Sequence, residues 1–184
     1  RFYDRGVRYI TLTHSRFNQI CDSSYDSTRR WNGLSPFGRE VVKEMNRLGI
    51  MIDVSHVSDD TFSQVVKLTK APVIASHSSC RHFTPGWERN MSDDMIRELA
   101  ATGGVIQISF GSSFISNDYR LRHALRRQKI NEHLKRSGLT RSDPEAAGQI
   151  RQFQEANPLE LATVSEVVDH VDHVRELVGV DHVG

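Results

Sequence analysis

The sequence predicts an α/β fold with a parallel sheet, read as part of a (β/α)8 barrel of the TIM type, and three observations carry that reading. Short hydrophobic strands alternate strictly with amphipathic helices, which is the pattern of parallel strands joined by crossover helices. The strands are near-continuous apolar runs, as in a sheet buried on both faces. No glycine-rich phosphate loop follows any strand, which counts against a nucleotide-binding doubly wound sheet.

The run 7–12 is rich in β-branched and aromatic residues and reads as the first strand; a polar, turn-rich loop follows from Thr13 to Ser35. Ser35-Pro36 supplies an N-cap and a proline at the first helical position. Val41, Val42, Met45 and Leu48 then recur at helical spacing until Gly49. Residues 50–55 read as the second strand, and Ser58-Asp59-Asp60 caps a helix carrying Phe62, Val65 and Val66. Residues 72–76 form the third strand. Ser92-Asp93-Asp94 opens a helix with Met95, Ile96 and Leu99, which Gly103-Gly104 ends ahead of a fourth strand at 105–110.

From about 111 to 161 the pattern changes to a charged, arginine-rich segment with helical stretches at 119–136 and roughly 144–155, an insertion between barrel units. The capping box Thr163-Val164-Ser165-Glu166 begins the next helix, marked by Val164, Val167, Val168, Val171, Val174 and Val178, and a further strand begins at Asp181. With the insertion set aside about five strands remain, whereas a complete barrel takes about 250 residues.

The chain has 184 residues, with 38% apolar and 26% charged residues and a formal net charge of +1, so no polyanion such as nucleic acid is implied as a partner. Its longest apolar stretches are single strands, far short of the ~18–20 residues a membrane span needs. Cys21 and Cys80 lack CxxC spacing and read as isolated buried or free thiols.

Three of the nine histidines share one context. Leu12-Thr13-His14-Ser15, Val54-Ser55-His56-Val57 and Ala75-Ser76-His77-Ser78 each place histidine just past the carboxyl end of a hydrophobic strand, after a small hydroxyl residue. In a barrel those ends form one rim, where side chains far apart in sequence converge. Imidazole is the commonest neutral zinc ligand, and two on neighbouring strands leave positions for carboxylate and water. Asp53, three residues before His56, has two readings: a partner that orients an imidazole, or a structural aspartate of the barrel. The run Asp169-His170-Val171-Asp172-His173 reads as a polar flank on an amphipathic helix, and His82, His123, His133 and His182 carry no functional reading. Arg89, in the loop Trp87-Glu88-Arg89-Asn90, taken alone reads as a solvated loop arginine, although its residue type can grip a carboxylate with two parallel hydrogen bonds.

The strings GVRYITLTHS, IDVSHVSDDTF, APVIASHSSCRHF, RNMSDDMI and VVDHVDHVRELVGVDHVG together closely resemble the renal (membrane) dipeptidase family of zinc metallopeptidases. The resemblance spans nearly the whole chain apart from the insertion, which looks like that of the longer bacterial-type members. It implies a (β/α)8 barrel of the metal-dependent hydrolase kind, of which residues 1–184 would be the central part of a single catalytic domain. It implies two Zn2+ in the complete site and dipeptide hydrolysis by a metal-activated hydroxide. His56 and His77 match the two histidine ligands of one zinc. His14 matches the histidine that contacts the substrate and steadies the tetrahedral intermediate, and Arg89 the arginine that binds the terminal carboxylate.

The family's H-x-D ligand pair and bridging glutamate would precede Arg1, and its catalytic aspartate would follow Gly184. This chain alone would therefore be inactive and poorly folded, an open half-barrel. Phe114 stands where some members carry a tyrosine. Members are often dimers, so a homodimer is compatible, and the resemblance leaves exported, membrane-attached and cytoplasmic placements open. Another binuclear amidohydrolase-type enzyme, or a homologue that keeps only the fold, remain as alternatives.

Overall fold

The helices begin where short polar side chains can accept from otherwise orphaned backbone N–H groups. In the computed structural model, which describes residues 2–184, Ser35 Oγ accepts from Gly38 N at 2.9 Å to open α1 (Pro36–Leu48). Ser58 Oγ accepts from Thr61 N to open α2 (Asp59–Leu68), and Ser92 Oγ from Met95 N to open α3 (Asp93–Ala101). Gly49 closes α1 in the left-handed region at φ +71°, which glycine enters without a Cβ clash. Gly104 answers a different need: a Cβ there would lie 2.3 Å from the Val73 carbonyl.

Between these helices run β1 (Tyr9–Thr11), β2 (Met51–Asp53), β3 (Ile74–Ser78) and β4 (Val105–Ile108), all parallel and in the spatial order β1-β2-β3-β4. Tyr9, Ile10 and Thr11 pair with Met51, Ile52 and Asp53; Asp53 pairs with Ile74; and Ile74 and Ala75 pair with Val105 and Ile106 before the register slips ahead of Ser78. β1, β2 and β4 are shorter than the apolar runs that announced them, although Leu12 and Val54 just past their ends stay buried, while β3 keeps five residues but lies two positions further along. The strand expected from Asp181 is reduced to its start. Val180–His182 is a 3-10 turn, and only Val183 bridges Ile106 in parallel, with Gly184 N bonding to Ile106 O at 3.0 Å.

One hydrophobic core lies between this sheet and the helices, with Val42 and Met45 of α1, Phe62 and Val65 of α2, and Ile96 and Leu99 of α3 facing Ile52, Ala75 and Ile106. Each such side chain contributes roughly 1.5–3 kcal/mol when fully buried. The inserted segment carries α4 (Ser112–Ile115), α5 (Asn117–Arg136) and α6 (Ala146–Ala156). α5 and α6 enclose their own small core of Ile130, Leu134 and Ala146, joined by Leu139, Ile150 and Phe153. The short α4 was not foreseen, and α5 starts two residues early because Ser116 caps it. α7 (Val164–Val178) opens on the expected capping box, in which Thr163 and Glu166 bond reciprocally. No helix among the described residues is long and apolar enough to cross a membrane.

Cys21 and Cys80 are fully buried free thiols, and burial pushes both up to about 12. Since the thiolate is the reactive form, neither is expected to react with a chromogenic disulfide reagent at about pH 8 until the protein is unfolded. Rapid labelling of either in the native state would contradict this burial.

Candidate functional site

The carboxyl ends of β1, β2 and β3 bring His14, His56 and His77 together. The His14 and His56 ring centroids are 4.2 Å apart and those of His56 and His77 4.8 Å. His77 lies inside β3 rather than past it, so its backbone is fixed by the sheet, and its N–H donates to Ser55 Oγ at 3.0 Å. His56 is held differently. Its φ is +70°, uncommon for a residue with a Cβ, and costs on the order of 1 kcal/mol. Ser24 N and Oγ, at 2.8 and 3.1 Å, both donate to the His56 carbonyl and pin that conformation.

Asp53, at the end of β2, is fully buried and accepts from Thr11 Oγ1 (2.5 Å), Ser55 N (3.0 Å), Ser76 N (3.0 Å) and Ser76 Oγ (2.6 Å). Both sequence readings of this residue are realised at once. It ties β1, β2 and β3 together, and it reaches an imidazole through Ser76, whose Oγ is 2.7 Å from His77 Nδ1. The single hydroxyl proton of Ser76 goes to the carboxylate, so Ser76 Oγ accepts from His77 Nδ1–H. That tautomer leaves a lone pair on His77 Nε2, which faces His56 Nε2 at 2.7 Å. Burial, reinforced by Arg89, His14 and His77, pushes His56 down to about 3; burial and Arg89 also push His77 down, with Asp53 opposing in each case. Both rings are neutral at pH 7, with nitrogens converging on one point. Such a donor pair suits a borderline-soft cation such as zinc.

Arg89 is only 2% exposed, which corrects the solvated-loop reading of this residue taken alone. Its Nη1 donates to Ser78 Oγ at 3.0 Å and its Nη2 to His77 O at 2.7 Å, while its Nε is buried with no protein partner among the described residues. The guanidinium stacks over Phe114 at 5.0 Å, and Trp87 packs on the same ring at 5.2 Å. The loop is clamped from both sides. Glu88 pairs with Arg29 and accepts from Asp59 N, while Arg81 grips Asp59 with two bonds of 2.7 and 2.6 Å and donates to Asn90 O.

The histidines of α7 depart from the polar-flank reading. His170 is fully buried: Cys80 N donates to its Nδ1 at 3.0 Å, so its Nε2–H donates to Ile115 O at 3.0 Å. It is a bridge between the end of β3, the insertion and α7. His173 is partly buried and bonds to Asp93 Oδ1 at 2.9 Å. Sequence spacing carries no signal for these contacts, because the partners lie 55 to 90 residues apart.

Parallel strands in chain order with interleaved helices define a segment of a (β/α) barrel, with three histidines gathered at the carboxyl ends of its strands. The family model for membrane dipeptidases, peptidase family M19, matches residues 1–184, and the chain belongs to this metallopeptidase family. It is 38% identical over 182 residues to dipeptidase verJ of Clonostachys rogersoniana, covering 99% of this chain and 36% of that protein. To dipeptidase tcpJ of Claviceps purpurea it is 36% identical, covering 100% of this chain and 33% of that one. The crystal structure of the probable dipeptidase PvdM from Pseudomonas aeruginosa matches with a TM-score of 0.77 at 29% identity, over 100% of this chain and 51% of that chain. The chain thus spans about a third of the length of these curated relatives.

Proposed function

We propose that residues 1–184 are the central portion, with an insertion at about 111–161, of a zinc-dependent dipeptidase domain, and that His56 and His77 are the two histidine ligands of one zinc. The observation that carries this reading is the facing pair of Nε2 atoms at 2.7 Å, one of them left with its lone pair by the Asp53–Ser76–His77 chain. When bound, a zinc pair supplies Lewis acidity and a water acidified toward neutral pH. The second zinc's H-x-D ligands, the bridging glutamate and the proton-shuttling aspartate are assigned to segments on either side of residues 1–184.

The chain's own residues orient the substrate. His14 is exposed at the mouth of the site, and with Nδ1 engaged by Ser15 Oγ at 2.7 Å it offers Nε2 to the carbonyl oxygen under attack. Arg89 commits two of its five N–H donors to the protein and keeps Nε for the terminal carboxylate of a dipeptide. A buried guanidinium without an anion is costly, which favours this carboxylate strongly.

The test is hydrolysis of dipeptides by the zinc-loaded full-length protein. A free-acid dipeptide is expected to exceed its C-terminal amide by about a hundredfold in kcat/KM, and Arg89→Met to erase that preference, since a charge-assisted bond contributes about 1.5–3 kcal/mol. Equal rates on acid and amide would overturn the role of Arg89. No dipeptide hydrolysis at all would overturn the whole reading.

A further inference from the structure

Outside the rim, three elements distant in sequence bring a second set of metal-type donors together. His82 stands exposed in the 3-10 turn Arg81–Phe83 after β3, Asp93 is the first residue of α3, and His173 lies on α7. One ligand atom from each falls within 4.8 Å of the others, and His173 Nε2 is 2.9 Å from Asp93 Oδ1. The rings of His82 and His173 are stacked with centroids 4.4 Å apart and 29° between their planes. The group uses none of His14, His56 or His77.

We propose that His82, Asp93 and His173 form a separate site for a zinc-class divalent cation, which clamps α7 and the turn after β3 onto the start of α3. Two imidazoles and one carboxylate are the donor set of zinc, whereas calcium and magnesium want an all-oxygen shell. Tetrahedral zinc holds its donors about 3.3–3.5 Å apart, given bonds of about 2.0–2.1 Å. The 2.9 Å contact lies just inside that value and the other donor pairs lie within 4.8 Å, so the adjustment falls to the exposed His82, whose ring rests on His173 and Phe83.

Charge supports occupancy. Asp93 gives the group a carboxylate to meet a cation. The positive end of α3 opposes a cation only weakly, and Asp93 and Asp94 in its first turn counter it. Phe83 flanks His173 at 5.6 Å and His170 at 4.4 Å, so one wall of the site is apolar, while the exposed His82 leaves the other open to exchange.

The experiment strips the full-length protein with chelator, dialyses it against Zn2+ alone, and counts bound zinc in the parent, His82→Ala, His173→Gln and, as a control outside the group, His123→Ala. Losing even an outer partner of a metal site weakens binding about 10–100-fold, so losing a ligand is expected to weaken this equivalent about a hundredfold or more. The variants at 82 and 173 should then bind one zinc fewer than the parent, and lose part of the rise in melting temperature that Zn2+ gives the parent. A His82→Ala protein that binds as much zinc as the parent overturns the proposal; removal of that exposed ring does not threaten the fold. The difference of one equivalent reads the same whether the rim holds two ions, one or none, so this outcome is independent of the dipeptidase reading.

Discussion

Replacing His77 by alanine in the full-length protein is expected to lower dipeptide kcat/KM by at least about a thousandfold and to remove rim-bound zinc. The lost imidazole is one of the two neutral nitrogens that converge between β2 and β3, and His56 alone is a weak ligand. The remainder of the site should survive, because the strand pairing of β3 and the bonds from Ser76 to Asp53 do not involve the His77 ring. Metal analysis and steady-state kinetics on a variant whose circular dichroism matches the parent check this. Activity within tenfold of the parent would remove His77 from the metal centre.

The second large effect concerns stability. Asp53→Ala is expected to destabilise the protein by about 3–5 kcal/mol, because it leaves the buried Ser55 N–H and the half-buried Ser76 N–H without their acceptor and unties three strands at once. The same carboxyl has a pH signature. Burial alone would push it up, but the hydrogen bonds from Ser76, Thr11 and Ser55 outweigh burial and hold it below its ordinary 3.8. A carboxyl held lower in the folded state contributes stability that is complete above the unfolded value. That contribution is lost as pH falls through the folded one. The parent should therefore lose stability with acid below about pH 4 more steeply than the variant. Denaturant titrations at several pH values measure both effects, and a loss under 1 kcal/mol at pH 7 would show that Asp53 is not the tie between the strands.

Much of this organisation was legible in the sequence, for local reasons. Ser35, Ser58, Ser92 and Thr163 cap helices as their types and positions foretold, since an N-cap bond spans only three residues. The convergence of His14, His56 and His77 followed from the period of strand and helix, because parallel units repeat the same placement. What escaped reading depends on contacts across the fold. The burial of His170 needs Cys80 and Ile115 as partners, and the burial of Arg89 needs the clamp between Arg29, Glu88, Asp59 and Arg81. Loop arginines and helix-flank histidines look alike in sequence whether water or protein receives their hydrogen bonds. The backbone of His56 escaped for another reason: a histidine at positive φ violates local preference, and bonds from Ser24, distant in sequence, sustain it.

A sheet whose spatial order repeats its chain order can be laid down as the chain is translated. Each of β2, β3 and β4 leaves the ribosome when the strand it joins already exists, so none of them waits for a partner. After β4 that rhythm stops. About seventy-five residues pass before Val183 arrives to pair with Ile106, which at roughly 5–20 residues per second leaves the β4 edge open for several seconds. The small core that α5 and α6 share lets the intervening segment consolidate by itself during that wait, instead of competing for the open strand. The vulnerable moment in making this protein is therefore the synthesis of its insertion, not of the units that carry the histidines.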